Sequence, residues 1–187
     1  MGKLIYANNC SLDGFIEDAN RSFEFSEPDA EVHQFWNDML RQTGTQVYGR
    51  RLYETMAIWE TMPVDYEPEV MREFAEIWRG RDKLVYSRTL EAVSSARTTL
   101  EREFNPDQIR ELKAGDEDLV IGGPSLAAAA FTAGLVDEIG LMFWPVVLGG
   151  GKPALPTGQQ IDLQLVDERR FPSGAVYLSY DVRRVYK

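Results

Sequence analysis

The sequence predicts an α/β protein with a mixed, mostly parallel sheet that finishes in an antiparallel hairpin, and three observations carry that prediction. Short apolar runs that stop at glycine and lead into a helix recur, as in Thr45 to Tyr48 before Gly49 and Leu119 to Ile121 before Gly122 and Gly123. Runs of this kind suit strands covered on both faces. Leu163 to Arg170, the turn from Phe171 to Gly174, and Val176 to Val185, where Val176, Leu178, Tyr180 and Val182 alternate, spell a hairpin. No G-x-G-x-x-G occurs anywhere, which argues against a Rossmann domain.

Composition narrows the function classes. A chain of 187 residues suits one domain, 1–187, with a substantial core. The single Cys10 excludes an intrachain disulfide. With no basic, apolar leader and no apolar run of membrane-spanning length, a cytoplasmic location is expected. A net charge of −10 argues against nucleic-acid and anionic-membrane surfaces, and so gives weight to any local arginine cluster. One histidine and one cysteine cannot supply the usual zinc sets, and no metal is expected.

Taken in order, Lys3 to Asn9 reads as a first strand, Asp13-Gly14 as a turn, and the acidic, aromatic segment Glu17 to Phe25 as loop. Ser26 and Asp29 stand at capping-box spacing with Pro28 near the first turn, so a helix is expected from here. Val32, Phe35, Trp36, Met39 and Leu40 form its core face, and Gly44 is expected to end it. Thr45 to Tyr48 is a strand, and Arg50 and Arg51 open the next helix directly after Gly49. Two cations in a first turn oppose the helix dipole unless an anion compensates; they equally suit solvent or acidic neighbours. Pro63 to Glu67 reads as a connector, and Pro68 starts a helix that Gly80 ends.

Lys83 to Tyr86 is a strand running into Ser87, Arg88 and Thr89, a hydroxyl and a cation where open α/β sheets bind ligands. Thr98 to Leu100 is a short strand, and Asn105 caps a helix with Ile109 and Leu112 inward. The organising stretch follows. Leu119 to Ile121 is a buried strand, Gly122 and Gly123 break it, Pro124 suits a first helical position, and Gly134 closes the helix. A glycine pair before a helix N-terminus lets backbone N–H groups approach an anion; it also serves as a plain tight turn, and the stretch alone leaves both open. Glu138 to Leu148 reads as strand interrupted by Pro145. Gly149-Gly150-Gly151-Lys152 lacks the phosphate-loop spacing, because Val146 and Pro153 stand at its required positions. A glycine loop lining a pocket and a simple connector both fit.

SLDGFI near the start, VYGRRLYETM, KLVYSRTL, LVIGGPSLAAAAFTAGLVDEIGL and PVVLGGGKPAL occur in that order. Together they resemble the dihydrofolate reductase-like superfamily, closest to the reductase domain of bacterial riboflavin-biosynthesis deaminase-reductases. The resemblance implies a three-layer α/β/α fold with a mixed eight-stranded sheet, and NADPH as cofactor. By the same resemblance, Gly49, Arg50 and Arg51 match a site for pyrophosphate and 2′-phosphate, and Ser87 and Arg88 match a further 2′-phosphate contact. Gly122 and Gly123, often joined by a cis peptide in the family, lie beside pyrophosphate and nicotinamide, with Pro124, Ser125 and Leu126 continuing onto the helix. Ile16 matches a position flanking the nicotinamide.

The substrate side departs from the pattern. Folate reductases carry a carboxylate sixteen residues before the glycine that is Gly49 here, and that spacing lands on His33. Asp29, one turn earlier, is the neighbouring carboxylate, so Asp29 and His33 are the candidate proton donors. The expected activity is NADPH-dependent reduction of a C=N or C=O in a small polar or heterocyclic molecule. A non-catalytic nucleotide-binding or sensor module of the same fold is the alternative. The apolar run Phe143 to Leu148 adds the expectation of a homodimer.

Overall fold

The computed structural model describes residues 1–63, 65 and 68–183. Eight strands form one sheet in the order β5-β4-β3-β6-β1-β7-β10-β9. In chain order these are β1 (Leu4–Ser11), β3 (Thr43–Gly49), β4 (Lys83–Tyr86), β5 (Thr98–Glu101), β6 (Asp118–Ile121), β7 (Glu138–Trp144), β9 (Leu163–Arg170) and β10 (Val176–Val182). Neighbours from β5 through to β7 are all parallel; β10 runs antiparallel to both β7 and β9. The two short strands β2 (Phe15–Glu17) and β8 (Lys152–Pro153) pair separately.

Alternation along the central strands sorts residues to two faces. Ile5 and Val120 pack with Leu40, Phe74 and Trp78 of α1 (Ala30–Arg41) and α4 (Glu69–Gly80). Leu4, Tyr6, Leu119 and Ile121 face the other way, against Ile109 of α5 (Pro106–Lys113) and Ala127, Ala130 and Phe131 of α6 (Pro124–Thr132). The result is the expected three-layer α/β/α arrangement around a mixed eight-stranded sheet. Cys10 is fully buried, and burial pushes its thiol up to about 12, so it is a core residue.

Local signals placed several termini. Asn105 caps α5 by accepting from Asp107 N at 3.0 Å, Pro68 precedes α4, and Gly134 adopts φ +65° after α6. Others shifted. Asp29, and not Ser26, caps α1, its Oδ1 accepting from Val32 N at 2.9 Å, while Ser26 closes a 3-10 turn at Glu24–Ser26. That helix ends at Arg41, and Gly44 lies inside β3, where an added Cβ would meet the Glu117 side chain at 2.5 Å. Leu112 of α5 is exposed. β7 stops at Trp144, before Pro145, since proline cannot donate to a ladder. Val64, Tyr66, Glu67 and Val185, assigned above to the connector and the last strand, lie outside the described residues.

The run Phe143 to Leu148 has an intramolecular explanation. β7 lies between β1 and β10, and Trp144 is buried, so the first part of the run is interior strand; Val147 is exposed. The exposed apolar residues on a sheet edge are Leu165 and Val166 of β9.

Candidate active site

Two cavities at the carboxyl ends of the parallel strands lie on either side of the turn from β6 into α6, and a third, about 440 Å³, runs along α6 between Pro124, Ser125 and the segment from Lys152 to Gln159. Of the first two, the larger, about 540 Å³, is bounded by Ala7 to Asn9 at the end of β1, Tyr48 at the end of β3, Val120 and Gly122 of the β6 end, and His33, Trp59 and Phe74. The smaller, about 380 Å³, is lined by Ser87 and Arg88 past β4, Arg102 past β5, and Ser125 and Leu126 in the first turn of α6. Gly122 therefore faces one cavity, and residues three and four positions later face the other.

The turn between them is built by the glycine pair. Gly123 adopts φ +83° and is the N-cap of α6, without a side-chain capping bond. An L-residue resists that φ, yet space is available: a Cβ there would meet nothing nearer than Leu52 at 3.9 Å. Gly122 is constrained differently, because a Cβ on it would stand 2.4 Å from Leu52 Cδ2. Among the described residues every peptide bond is trans, so the cis Gly122-Gly123 bond suggested by the resemblance is absent. The first N–H groups of α6 have no intrahelical acceptor and, with the helix dipole, favour an anion.

In the smaller cavity Ser87 accepts from Thr89 N at 3.2 Å and Leu90 N at 3.0 Å, which folds residues 87–90 into a tight turn. Arg88 is exposed and has no ion-pair partner among the described residues. Arg102 braces the same turn by donating to the Leu90 carbonyl at 2.5 Å. Two guanidinium groups, a hydroxyl and an uncapped helix N-terminus form a donor set that outweighs the exposed carboxylate beside it, Glu103, and suits phosphate, and thus the phosphate-bearing parts of a dinucleotide.

The arginine pair of α2 (Arg50–Met56) divides. Arg50 pairs with Glu54 at 2.8 Å and donates to Thr89 Oγ1 at 2.9 Å, beside the smaller cavity without lining it. Arg51 forms a two-bond pair with Glu17, at 3.2 and 3.0 Å, and turns away from Arg88 toward β2. An acidic neighbour thus accounts for one of the two cations. Gly49 is the N-cap of α2 and lies 3.7 Å, measured from an added Cβ, from Leu126. Ile16 packs on the α5/α6-side core and lines neither cavity. Gly151 meets β2, where a Cβ would lie 1.9 Å from the Glu17 carbonyl oxygen, and Asp13 holds the glycine loop by accepting from Leu148 N and Gly149 N. Only Gly151 is closely packed; Gly149 and Gly150 have open space around them, and Lys152 lines the third cavity with Pro124 and Ser125.

The proton-donor candidates separate as well. Asp29 is occupied as a helix cap and does not line the larger cavity; His33 does. His33 Nδ1 lies 3.2 Å from Asn37 Oδ1, and its ring meets Phe74 and Trp59 edge-on at 5.4 and 6.2 Å between centroids. Burial lowers its pKa below the ordinary 6.5, which favours the neutral imidazole. Sequence reasoning missed Arg102, although it stands just beyond a strand's carboxyl end, the rule that singled out Ser87 and Arg88.

This strand order, with helices on both faces and cavities at the parallel strands' carboxyl ends, defines a dihydrofolate reductase-like domain. The chain matches the RibD C-terminal domain family over residues 2–177 and belongs to it. It is 32% identical over 174 residues to the Bacillus subtilis (strain 168) protein YyaP, itself described as uncharacterized, covering 91% of this chain and 89% of that one. Among solved structures, a putative riboflavin biosynthesis protein from Shewanella sp. PV-4 superposes with a TM-score of 0.76 at 20% identity, covering 97% of this chain and 99% of that chain. RibD from Acinetobacter baumannii gives 0.72 at 15% identity, with 98% of this chain and 58% of that chain covered. A Thermotoga maritima diaminohydroxyphosphoribosylaminopyrimidine deaminase/5-amino-6-(5-phosphoribosylamino)uracil reductase gives 0.65 at 11%, covering 97% and 57%.

Proposed function

We propose that this protein is an NADPH-dependent reductase that delivers hydride to a C=N or C=O of a small molecule held in the larger cavity. The observation that carries the reading is the continuity of the β6-to-α6 turn, whose Gly122 lines one cavity while Ser125 and Leu126 line the other. One extended ligand lying across this turn would place phosphates in the arginine-bearing cavity and its reactive ring toward the larger one.

In this reading Ser87, Arg88 and Arg102 hold the 2′-phosphate, and Arg50 keeps their turn in place through Thr89. The α6 N-terminus at Pro124, Ser125 and Leu126 faces the pyrophosphate, and Gly123 leaves room for it. Gly122 and Leu52 flank the nicotinamide. Bound NADPH supplies the hydride; the protein's residues orient the two reactants and exclude water. His33 is the titratable group that the geometry favours over Asp29 for positioning a proton beside the acceptor, as a neutral N–H or through water. The same reading includes a homodimer, for which the exposed β9 edge is a better surface than the Phe143 to Leu148 run.

A second reading, a nucleotide-binding module without turnover, is favoured by one observation: neither Asp29 nor His33 presents an ionised acid to the cavity. Stopped-flow measurement of NADPH oxidation with cyclic imine and pterin acceptors separates them. Acceptor-dependent oxidation supports the reductase, and tight binding with no oxidation across the panel supports the module.

A further inference from the structure

The larger cavity has a chemical bias that hydride transfer alone does not require. Among the described residues, none that lines it is lysine or arginine. Its titratable lining groups among the described residues are His33, Tyr48 and the two exposed carboxylates Glu24 and Glu27. One wall is an aromatic cluster, in which Trp59 and Phe74 lie 4.6 Å apart and His33 abuts both edge-on. Trp36, Met39 and Met56 extend this apolar surface. The guanidinium groups of Arg88 and Arg102 belong to the other cavity.

From this division we infer that the larger cavity takes a planar aromatic molecule that carries no phosphate and no net negative charge. Aromatic walls reward a flat ring system by offset and edge-on contacts, and they tolerate a cation well. A phosphate monoester, at about −1.5 to −2 charges, would lose its hydration here without gaining a cationic partner. Glu24 and Glu27 repel it further, and the neutral form favoured at His33 offers it no charge. The inference rests on the reductase reading only in taking this molecule as the hydride acceptor. It sets the ligand apart from the phosphoribosyl compound in the name of the Thermotoga maritima relative.

Calorimetric titration of the cofactor-free protein with 1-naphthol, 1-naphthylmethylamine and 1-naphthyl phosphate tests it. The alcohol and the amine are expected to bind saturably, and the phosphate at least about tenfold more weakly, a gap of ~1.4 kcal/mol. Trp59→Ala should weaken 1-naphthol binding. Thr55→Arg, which puts a cation on an exposed lining position, should bring 1-naphthyl phosphate up to the affinity of the alcohol. Equal or tighter binding of the phosphate by the parent protein, or no binding of the alcohol and the amine, overturns the inference. The two readings fail separately. A protein that binds NADPH yet prefers naphthyl phosphate keeps the reductase reading and loses this one, and the reverse pattern loses the reductase reading alone.

Discussion

Arg50 donates a hydrogen bond to Thr89 Oγ1 at 2.9 Å, tying the first turn of α2 to the tight turn that carries Ser87 and Arg88. Its neighbour Arg51 pairs with Glu17 of β2. Two adjacent cations that look equivalent in sequence therefore have different surroundings, and only one bears on the smaller cavity.

That division predicts different effects from similar substitutions. Arg88→Ala should lower NADPH affinity by roughly tenfold or more, because a charge-assisted hydrogen bond contributes about 1.5–3 kcal/mol, and should leave NADH affinity nearly unchanged. Arg51→Ala should alter neither by more than about twofold, since its partner is the largely covered carboxylate of Glu17, which lines neither the larger nor the smaller cavity. Fluorescence titration of both variants with both cofactors checks this, and a larger loss of NADPH affinity at Arg51 would contradict the assignment.

Gly123 is a conformational requirement before it is a steric one. At φ +83° an alanine should cost about 1–3 kcal/mol of stability, visible in urea unfolding. Because the site of the new methyl faces open space beside α6, the folded Gly123→Ala protein should also lose NADPH affinity. A variant that is destabilised but binds normally would reduce the pair to a turn.

The sole histidine makes its titration directly observable. Burial lowers the pKa of His33, so the unfolded chain binds more protons than the native protein as the pH falls through 6.5. The contribution of His33 to stability is full above 6.5 and is lost as the pH drops toward its native pKa. A single imidazole resonance followed by NMR should titrate below 6.5, and His33→Phe should remove part of the stability loss in that window. A midpoint above 6.5 would show that a charge, and not burial, governs the ring.

β9 presents Leu165 and Val166, 46% and 47% exposed, on the edge of the sheet. Edges of this kind are open to pairing with another chain. Light scattering is expected to give about twice the 21.3 kDa chain mass, and Val166→Lys to lower it toward one chain. A parent that remains monomeric at all concentrations would sink the dimer.

What could be read ahead of the structure was local chemistry. Asn105, Pro68 and Gly134 mark helix termini through bonds and dihedrals within a few residues of themselves, and the three strand-to-turn junctions at Gly49, Ser87 and Gly122 were legible from apolar runs that stop abruptly. What escaped was set by distant partners. Gly44 looks like a helix stop, but its space is taken by Glu117, more than seventy residues on. Arg102 sits in a charged stretch that reads as solvated surface, and only the pairing of β4 with β5 brings it to the Ser87–Leu90 turn. Asp29 and His33 could not be distinguished by helical spacing, because capping geometry, and not periodicity, turned the carboxylate away.

The most direct test of the account is a calorimetric titration of the unmodified protein with NADPH and with NADH. The donor set of the smaller cavity predicts one NADPH per chain and an NADH dissociation constant larger on the order of 100-fold, the equivalent of two lost charge-assisted bonds. Equal constants, or no binding of either nucleotide, would contradict it.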